Sequence, residues 1–214
     1  MLPNKPFYMI RHGQTEANAA RIMAGSMDSP LTDIGRQQAY DVQNVISALK
    51  IKPSAIFHSH LSRARDTATI INEVLNVELF EDADLAELHA GILEGAPYDE
   101  CQELFTTWPD IPEGETAEEF FERVKRGKAK AINAYPDPIL IVCHGGVMRA
   151  FGEIHGVDTP GRFENAHLYG FFPNDNKTHF PWDVFDYRFC EETQSLKKSP
   201  SEIYEASLTE AIAS

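Results

Sequence analysis

A run of four apolar residues, Phe7-Tyr8-Met9-Ile10, ends on Arg11-His12-Gly13. A short continuous apolar run closed by a turn signal is the signature of a strand buried on both faces, as in a parallel sheet. Such sheets take their ligands beyond the carboxyl ends of the strands, where Arg11 and His12 fall. Gly13, with no Cβ, lets the backbone approach a ligand closely. Thr15, Glu16 and Asn18 have the composition of a loop or a first helical turn, whose free N–H groups favour an anion. A phosphate at this spot would meet a guanidinium, an imidazole and backbone donors together.

The pattern recurs. Ile139-Leu140-Ile141-Val142-Cys143 is the most strand-like run in the chain, and it delivers His144-Gly145-Gly146 into a helix through Met148 and Phe151. Ala55–Phe57 and Val77–Phe80 read as two further strands. The first leads to Arg63 in a helix that reaches Leu75. Thr32 or Asp33 caps a helix whose apolar positions, Ile34, Ala39, Val42, Val45, Ile46 and Leu49, predict one buried stripe. Asp82 to Ala96 reads as loop and Pro97 to Trp108 as a short helix. Thr116 and Glu119 form a capping box opening a helix to Ala134, with Phe120, Phe121 and Val124 on its buried face. Later strands are expected near His167–Phe172 and Trp182–Phe189. Strands alternating with helices predict a single-domain α/β fold over residues 1–190, a three-layer α/β/α sandwich with a mostly parallel sheet. Residues 191–214 read as a polar C-terminal appendage with a weak helical pattern near Ile203–Ile212.

Composition narrows the partners. The chain has 214 residues and a formal charge of -14, which argues against nucleic acid or an anionic membrane as a general partner. Phosphate binding then has to come from a local cluster of cations in an acidic body. Three cysteines, Cys101, Cys143 and Cys190, make an odd count with no paired spacing, so reduced thiols and a cytoplasmic location are expected. Arg11 interrupts the first apolar run too early for a signal peptide, and no run approaches a membrane span. Nothing in the sequence speaks to oligomeric state.

Three strand ends thus offer Arg11 with His12, then Arg63, then His144 to one edge of a parallel sheet. Two arginines and two histidines around one small space suit a phosphoryl group, because the planar guanidinium meets two phosphate oxygens at once. His58-Ser59-His60 invites a metal reading, but no third ligand stands nearby, and no metal or cofactor is expected. Arg65 rivals Arg63, and Asp84, Glu87 and Glu94 all stand as candidate acids; spacing alone leaves both choices open.

Arg11-His12-Gly13 with Thr15 and Asn18, Arg63-Ala64 before Thr67-Ala68, Glu87 before Gly91 and Glu94-Gly95, and His144-Gly145-Gly146 come in an order that resembles the histidine phosphatase superfamily, and more narrowly its phosphoglycerate mutase-like branch. The resemblance runs from about Phe7 to Phe151 and takes in the strand at His167. It implies that His12 attacks the substrate phosphorus and becomes a phosphohistidine. Arg11, Arg63 and His144, helped by Asn18, would hold the non-bridging oxygens. Glu87, favoured over Asp84 and Glu94, would protonate the leaving oxygen. It also selects Arg63 over Arg65, sets Ala24 and Gly25 on the pocket rim, and requires no metal. Gly13, Thr15, His89 and Gly145 complete the expected lining.

Mutases of this branch carry a lysine- and arginine-bearing insertion after the motif at Glu87, whereas Gly95 to Thr116 holds neither residue here. They also carry an aromatic residue where this chain has Ala17. Hydrolysis of a small organic phosphate is therefore expected, with a cofactor-dependent phosphoglycerate mutase as the alternative. A non-catalytic phospho-ligand adaptor is a third reading, disfavoured because His12 and Glu87 are both present. Tyr98, Phe105 and Trp108 are candidates to stack on a sugar or base.

Overall fold

The computed structural model describes residues 5–159 and 162–204. Seven strands form one sheet in the order β3-β2-β4-β1-β5-β6-β7. They are β1 (Phe7–Arg11), β2 (Ala55–His58), β3 (Glu78–Glu81), β4 (Leu140–Cys143), β5 (Leu168–Pro173), β6 (Trp182–Cys190) and β7 (Ser195–Pro200). β1 to β4 are mutually parallel, β5 is antiparallel to β1, and β6 and β7 continue antiparallel, so five of the seven strands run in one direction. The helices are α1 (Glu16–Ala20), α2 (Asp33–Ala48), α3 (Ser62–Leu75), α4 (Gln102–Thr106), α5 (Ala117–Ala134) and α6 (Gly145–Ile154).

Alternation along the strands sorts the helices into two layers. Phe7 and Met9 of β1 share a core with Phe120 and Val124 of α5 and Phe151 of α6. Tyr8 and Ile10 face the other way, onto Val42 and Ile46 of α2 and Ala68 and Ile71 of α3. Both faces of a central strand are therefore buried, which is why β1 and β4 read as unbroken apolar runs. The capping box predicted at Thr116 and Glu119 is present, as is the Thr32 cap of α2.

Two expectations about elements change. Ile34 is 60% exposed rather than part of the buried stripe of α2. It lies five positions before Ala39, about 140° round a helix of 3.6 residues per turn. The stretch after 190 is not an appendage through its described part. Ser195–Pro200 is the edge strand of the main sheet, paired with β6 from Phe185↔Pro200 to Cys190↔Ser195. Tyr204 is buried and donates its hydroxyl to the carbonyl of Met148 in α6 at 2.8 Å. Most of the helical pattern expected at 203–212 lies outside the described residues.

Candidate active site

β1 and β4 are adjacent and parallel, with Arg11 opposite Cys143, so the residues that follow them emerge side by side. The rings of His12 and His144 have centroids 5.1 Å apart. His12 is 3% exposed, and its Nδ1 lies 2.7 Å from the carbonyl of Gly13. A carbonyl only accepts, so Nδ1 carries the proton and Nε2 keeps its lone pair. Burial first, then the charges of Arg11 and Arg63, hold the imidazole well below its usual pKa. His12 is thus held neutral, with a defined basic nitrogen.

His144 has the opposite tautomer. Arg63, 1% exposed in the first turn of α3, donates Nε–H to His144 Nδ1 at 3.2 Å. With Nδ1 accepting, the proton sits on Nε2, a buried atom with no partner among the described residues. Burial and then Arg63 push the pKa of His144 well down as well. The rest of the Arg63 fork donates to the carbonyls of Met27 (2.8 Å) and Gly25 (2.7 Å), fixing the 24–27 loop against the site. Arg11 donates from Nη1 to the carbonyl of Phe163 at 2.8 Å and also donates to the Tyr98 oxygen. Its Nε is buried and unpartnered. Two orphaned donors, Arg11 Nε–H and His144 Nε2–H, belong to residues lining or bordering the space where a phosphoryl group would meet His12.

The three candidate acids separate cleanly. Asp84 is held by Arg126 at 2.7 and 2.8 Å on the outer side of α5. One oxygen of Glu94 accepts from Ser26 N (2.7 Å), Ser26 Oγ (2.8 Å) and Ala90 N (3.0 Å), ordering the loop at the rim. Glu87 lines the cavity, with Oε1 accepting from Leu88 N at 2.9 Å and Oε2 from Gly146 N at 3.0 Å. Arg123 of α5 holds the backbone beneath it through the carbonyls of Asp84, Ala86 and Glu87.

The cavity occupies about 330 Å³. Thr15, Asn18, Ala24, Gly25 and Gly145 line it with Arg11, His12, Arg63 and Glu87. Three expectations differ. His89 is exposed and outside the lining. Gly13 is needed for packing rather than for ligand approach, since a Cβ there would stand 2.3 Å from the carbonyl oxygen of Gly35. The first turn of α1 offers no free donors: the N–H groups of Glu16, Ala17 and Asn18 are taken by the Pro30 carbonyl, Ser29 Oγ and Thr15 Oγ1. His58 turns Nδ1 to the carbonyl of Ser59 at 3.0 Å, and His60 is exposed. Among the described residues no group of three or more His, Cys, Asp or Glu is arranged to hold a metal ion.

Other lining residues were not foreseen. Asn165 donates to the carbonyl of His12 at 2.9 Å and to Asn18 Oδ1 at 3.2 Å, while Asn18 Nδ2 donates to Tyr98 at 3.1 Å. Arg149 and Arg162 add positive charge to the wall. They come from α6 and the segment after it, not from the cation-free 95–116 stretch. Arg149 donates to the carbonyls of Leu104 and Thr107 and stacks 4.0 Å over the Trp108 ring, tethering α4 to α6. Tyr98 reaches the site through its hydroxyl. The side chain of Phe105 is outside the described set. A single asparagine or arginine in a polar stretch leaves no periodic signal, so only the folded arrangement reveals these residues.

The model of the histidine phosphatase superfamily (branch 1) matches residues 7–168. An uncharacterized phosphatase, PhoE, of Bacillus subtilis (strain 168) is 36% identical over 154 residues, covering 70% of this chain and 77% of that protein. A probable phosphoglycerate mutase, GpmB, of Klebsiella pneumoniae subsp. pneumoniae is 38% identical over 150 residues, covering 64% and 68%. The crystal structure of TTHB049 from Thermus thermophilus superposes with a TM-score of 0.62 at 30% identity, covering 77% of this chain and 92% of that one. The chain belongs to branch 1 of the histidine phosphatase superfamily.

Proposed function

We propose that the protein is a phosphomonoesterase that hydrolyses a small organic phosphate through a phosphohistidine at His12, by a scheme that calls for no metal. One observation carries this reading: the bare Nε2 of a neutral, buried His12 stands among Arg11, Arg63 and His144, with Glu87 as the one carboxylate among the described residues that line the cavity. In the first step Nε2 bonds to phosphorus while the ester P–O bond breaks, and Glu87 gives its proton to the departing alkoxide. In the second, water bonds to phosphorus while the P–Nε2 bond breaks and returns its electron pair to Nε2, a water proton passes to Glu87, and inorganic phosphate leaves. Charge on the transferring phosphoryl is spread over its oxygens, so fixed donors supply most of the stabilisation. Arg11 Nε–H and His144 Nε2–H gain the partners they lack.

The test is turnover of a panel of phosphate monoesters by purified protein. Release of phosphate by the wild type and its loss in His12→Ala supports hydrolysis at this site; undiminished turnover in the variant refutes it. A phosphoglycerate mutase is the second reading. It is favoured by Arg149 and Arg162, since a mutase must hold a doubly phosphorylated intermediate. A coupled assay separates the two: isomerisation of phosphoglycerate that depends on added bisphosphoglycerate identifies the mutase, and phosphate release without isomerisation identifies the phosphatase.

A further inference from the structure

Arg123 spends every donor it has on one segment and one partner. Nε–H goes to Glu115 Oε1 at 2.8 Å and one Nη2–H to Glu115 Oε2 at 2.6 Å. The other Nη2–H goes to the carbonyl of Glu87 at 3.3 Å, and the two Nη1–H groups to the carbonyls of Asp84 (3.2 Å) and Ala86 (2.9 Å). A guanidinium has five N–H groups in a rigid fork, and all five are committed. Glu115 closes the far end of the same segment, its backbone N–H donating to the carbonyl of His89 at 2.9 Å. The pair is little exposed, with 17% and 15% of the two side chains accessible. Four carbonyls between residues 84 and 89 are thereby fixed on the α5 side, while the Glu87 carboxylate projects into the cavity on the other.

We propose that Arg123, oriented by Glu115, is a positioning residue that sets where the Glu87 carboxyl meets the leaving-group oxygen. The proposal rests on Glu87 being the proton donor. Segment 84–89 carries only the end of one short 3₁₀ turn, Ala83–Leu85, and no strand pairing, so its path depends on these side-chain contacts. α5 is shaped for the task, since a Cβ on Gly127 would stand 2.7 Å from Asp84 Cβ. Lysine cannot substitute, because a compact ammonium has three donors and no fork. Displacing a general acid by about an ångström is enough to lower the rate severely.

Proton donation matters most when the alkoxide leaves poorly, and this gives a readout that a purely structural role would not move. The experiment measures kcat/KM, which reports the phosphoryl-capture step, for 4-nitrophenyl phosphate, phenyl phosphate and an alkyl phosphate. It uses the full chain and its Arg123→Lys, Arg123→Met, Glu115→Gln and Glu87→Gln variants. Glu87→Gln is expected to lose far more on the alkyl ester than on the nitrophenyl ester. The Arg123 variants are expected to follow it in kind, with a loss on the alkyl ester about tenfold or more beyond that on 4-nitrophenyl phosphate. Glu115→Gln should lie between. Thermal unfolding confirms that each assayed variant is folded, and Arg123→Lys alone carries the test where Arg123→Met does not fold. A uniform loss on all three esters, or no loss, in folded Arg123 variants overturns the positioning role while Glu87→Gln still steepens the dependence. A flat dependence in Glu87→Gln removes the proton-donor reading and the proposal with it.

Discussion

Two neighbouring imidazoles are locked in opposite tautomers by what touches their Nδ1 atoms. A carbonyl beneath His12 leaves a lone pair on Nε2, and a guanidinium beside His144 leaves a proton on Nε2. One ring is thereby suited to attack phosphorus and the other to donate to its oxygens. Burial and the two arginines depress both pKa values, so protonation of His12, which would abolish its nucleophilicity, is deferred to lower pH. The acid limb of kcat/KM is therefore expected well below the ordinary histidine range of about 6.5. A pH–rate profile showing an activity loss centred at an unperturbed histidine pKa would contradict that. Gly146 offers a second check. A Cβ there would stand 2.1 Å from Glu87 Oε1, so Gly146→Ala must displace the carboxylate. Loss of about tenfold or more in kcat/KM on poor leaving groups is expected, with the fold intact by circular dichroism.

At the scale of elements, the loop that carries the site is pinned where two glycines cross. A Cβ on Gly13 would stand 2.3 Å from the Gly35 oxygen, and one on Gly35 2.0 Å from the Gln14 oxygen. These contacts are backbone and cannot rotate away. Gly13→Ala or Gly35→Ala is expected to lower stability by about 1–3 kcal/mol, the usual cost of overpacking, measurable by urea unfolding. This use of glycine was not legible in the chain, because only the packed structure shows that β1's exit loop meets the first turn of α2. The central strands were legible because both their faces are buried, and α5 because its cap and its stripe agree. β7 was missed for the converse reason. Ser195-Leu196-Lys197-Lys198-Ser199-Pro200 is mostly exposed and lies at a sheet edge, where lysine and proline suit a protected edge but leave no apolar signal. The convergence of Arg11, His12, Arg63 and His144 could be read from strand ends alone. Spacing alone left Asp84, Glu87 and Glu94 level and only the resemblance favoured Glu87; the contacts that occupy Asp84 and Glu94 become visible only in the fold.

The whole molecule sets a cationic cavity in an acidic body. The chain carries a formal charge of -14, yet among the described residues four arginines and one carboxylate line the cavity. It also buries bases in neutral form. His12 and His144 are pushed well down, and burial brings His155 from 6.5 to about 4. In that window the unfolded chain binds protons that the folded chain does not. Unfolding free energy is therefore expected to rise with pH from about 4 to 6.5 and to be lost as pH falls through the same range. Denaturant titrations across these pH values check the sign. Lys128 is wholly buried, 3.1 Å from Met9 Sδ and facing the Phe151 ring, and burial drives its pKa far below that of a free amine. Because the unfolded lysine is protonated at neutral pH, its burial costs stability there. Lys128→Met is expected to raise the unfolding free energy, by about 1–4 kcal/mol if it behaves as buried ionic groups replaced by apolar ones do.

The most direct measurement is of the covalent intermediate itself. Protein mixed with 4-nitrophenyl phosphate, quenched in alkali to preserve an acid-labile phosphoramidate and mapped by mass spectrometry, should carry one phosphoryl group on His12. The adduct should accumulate in Glu87→Gln, where water is no longer deprotonated, and be absent from His12→Ala. A phosphoryl group found on another residue, or full turnover by His12→Ala, would contradict the account.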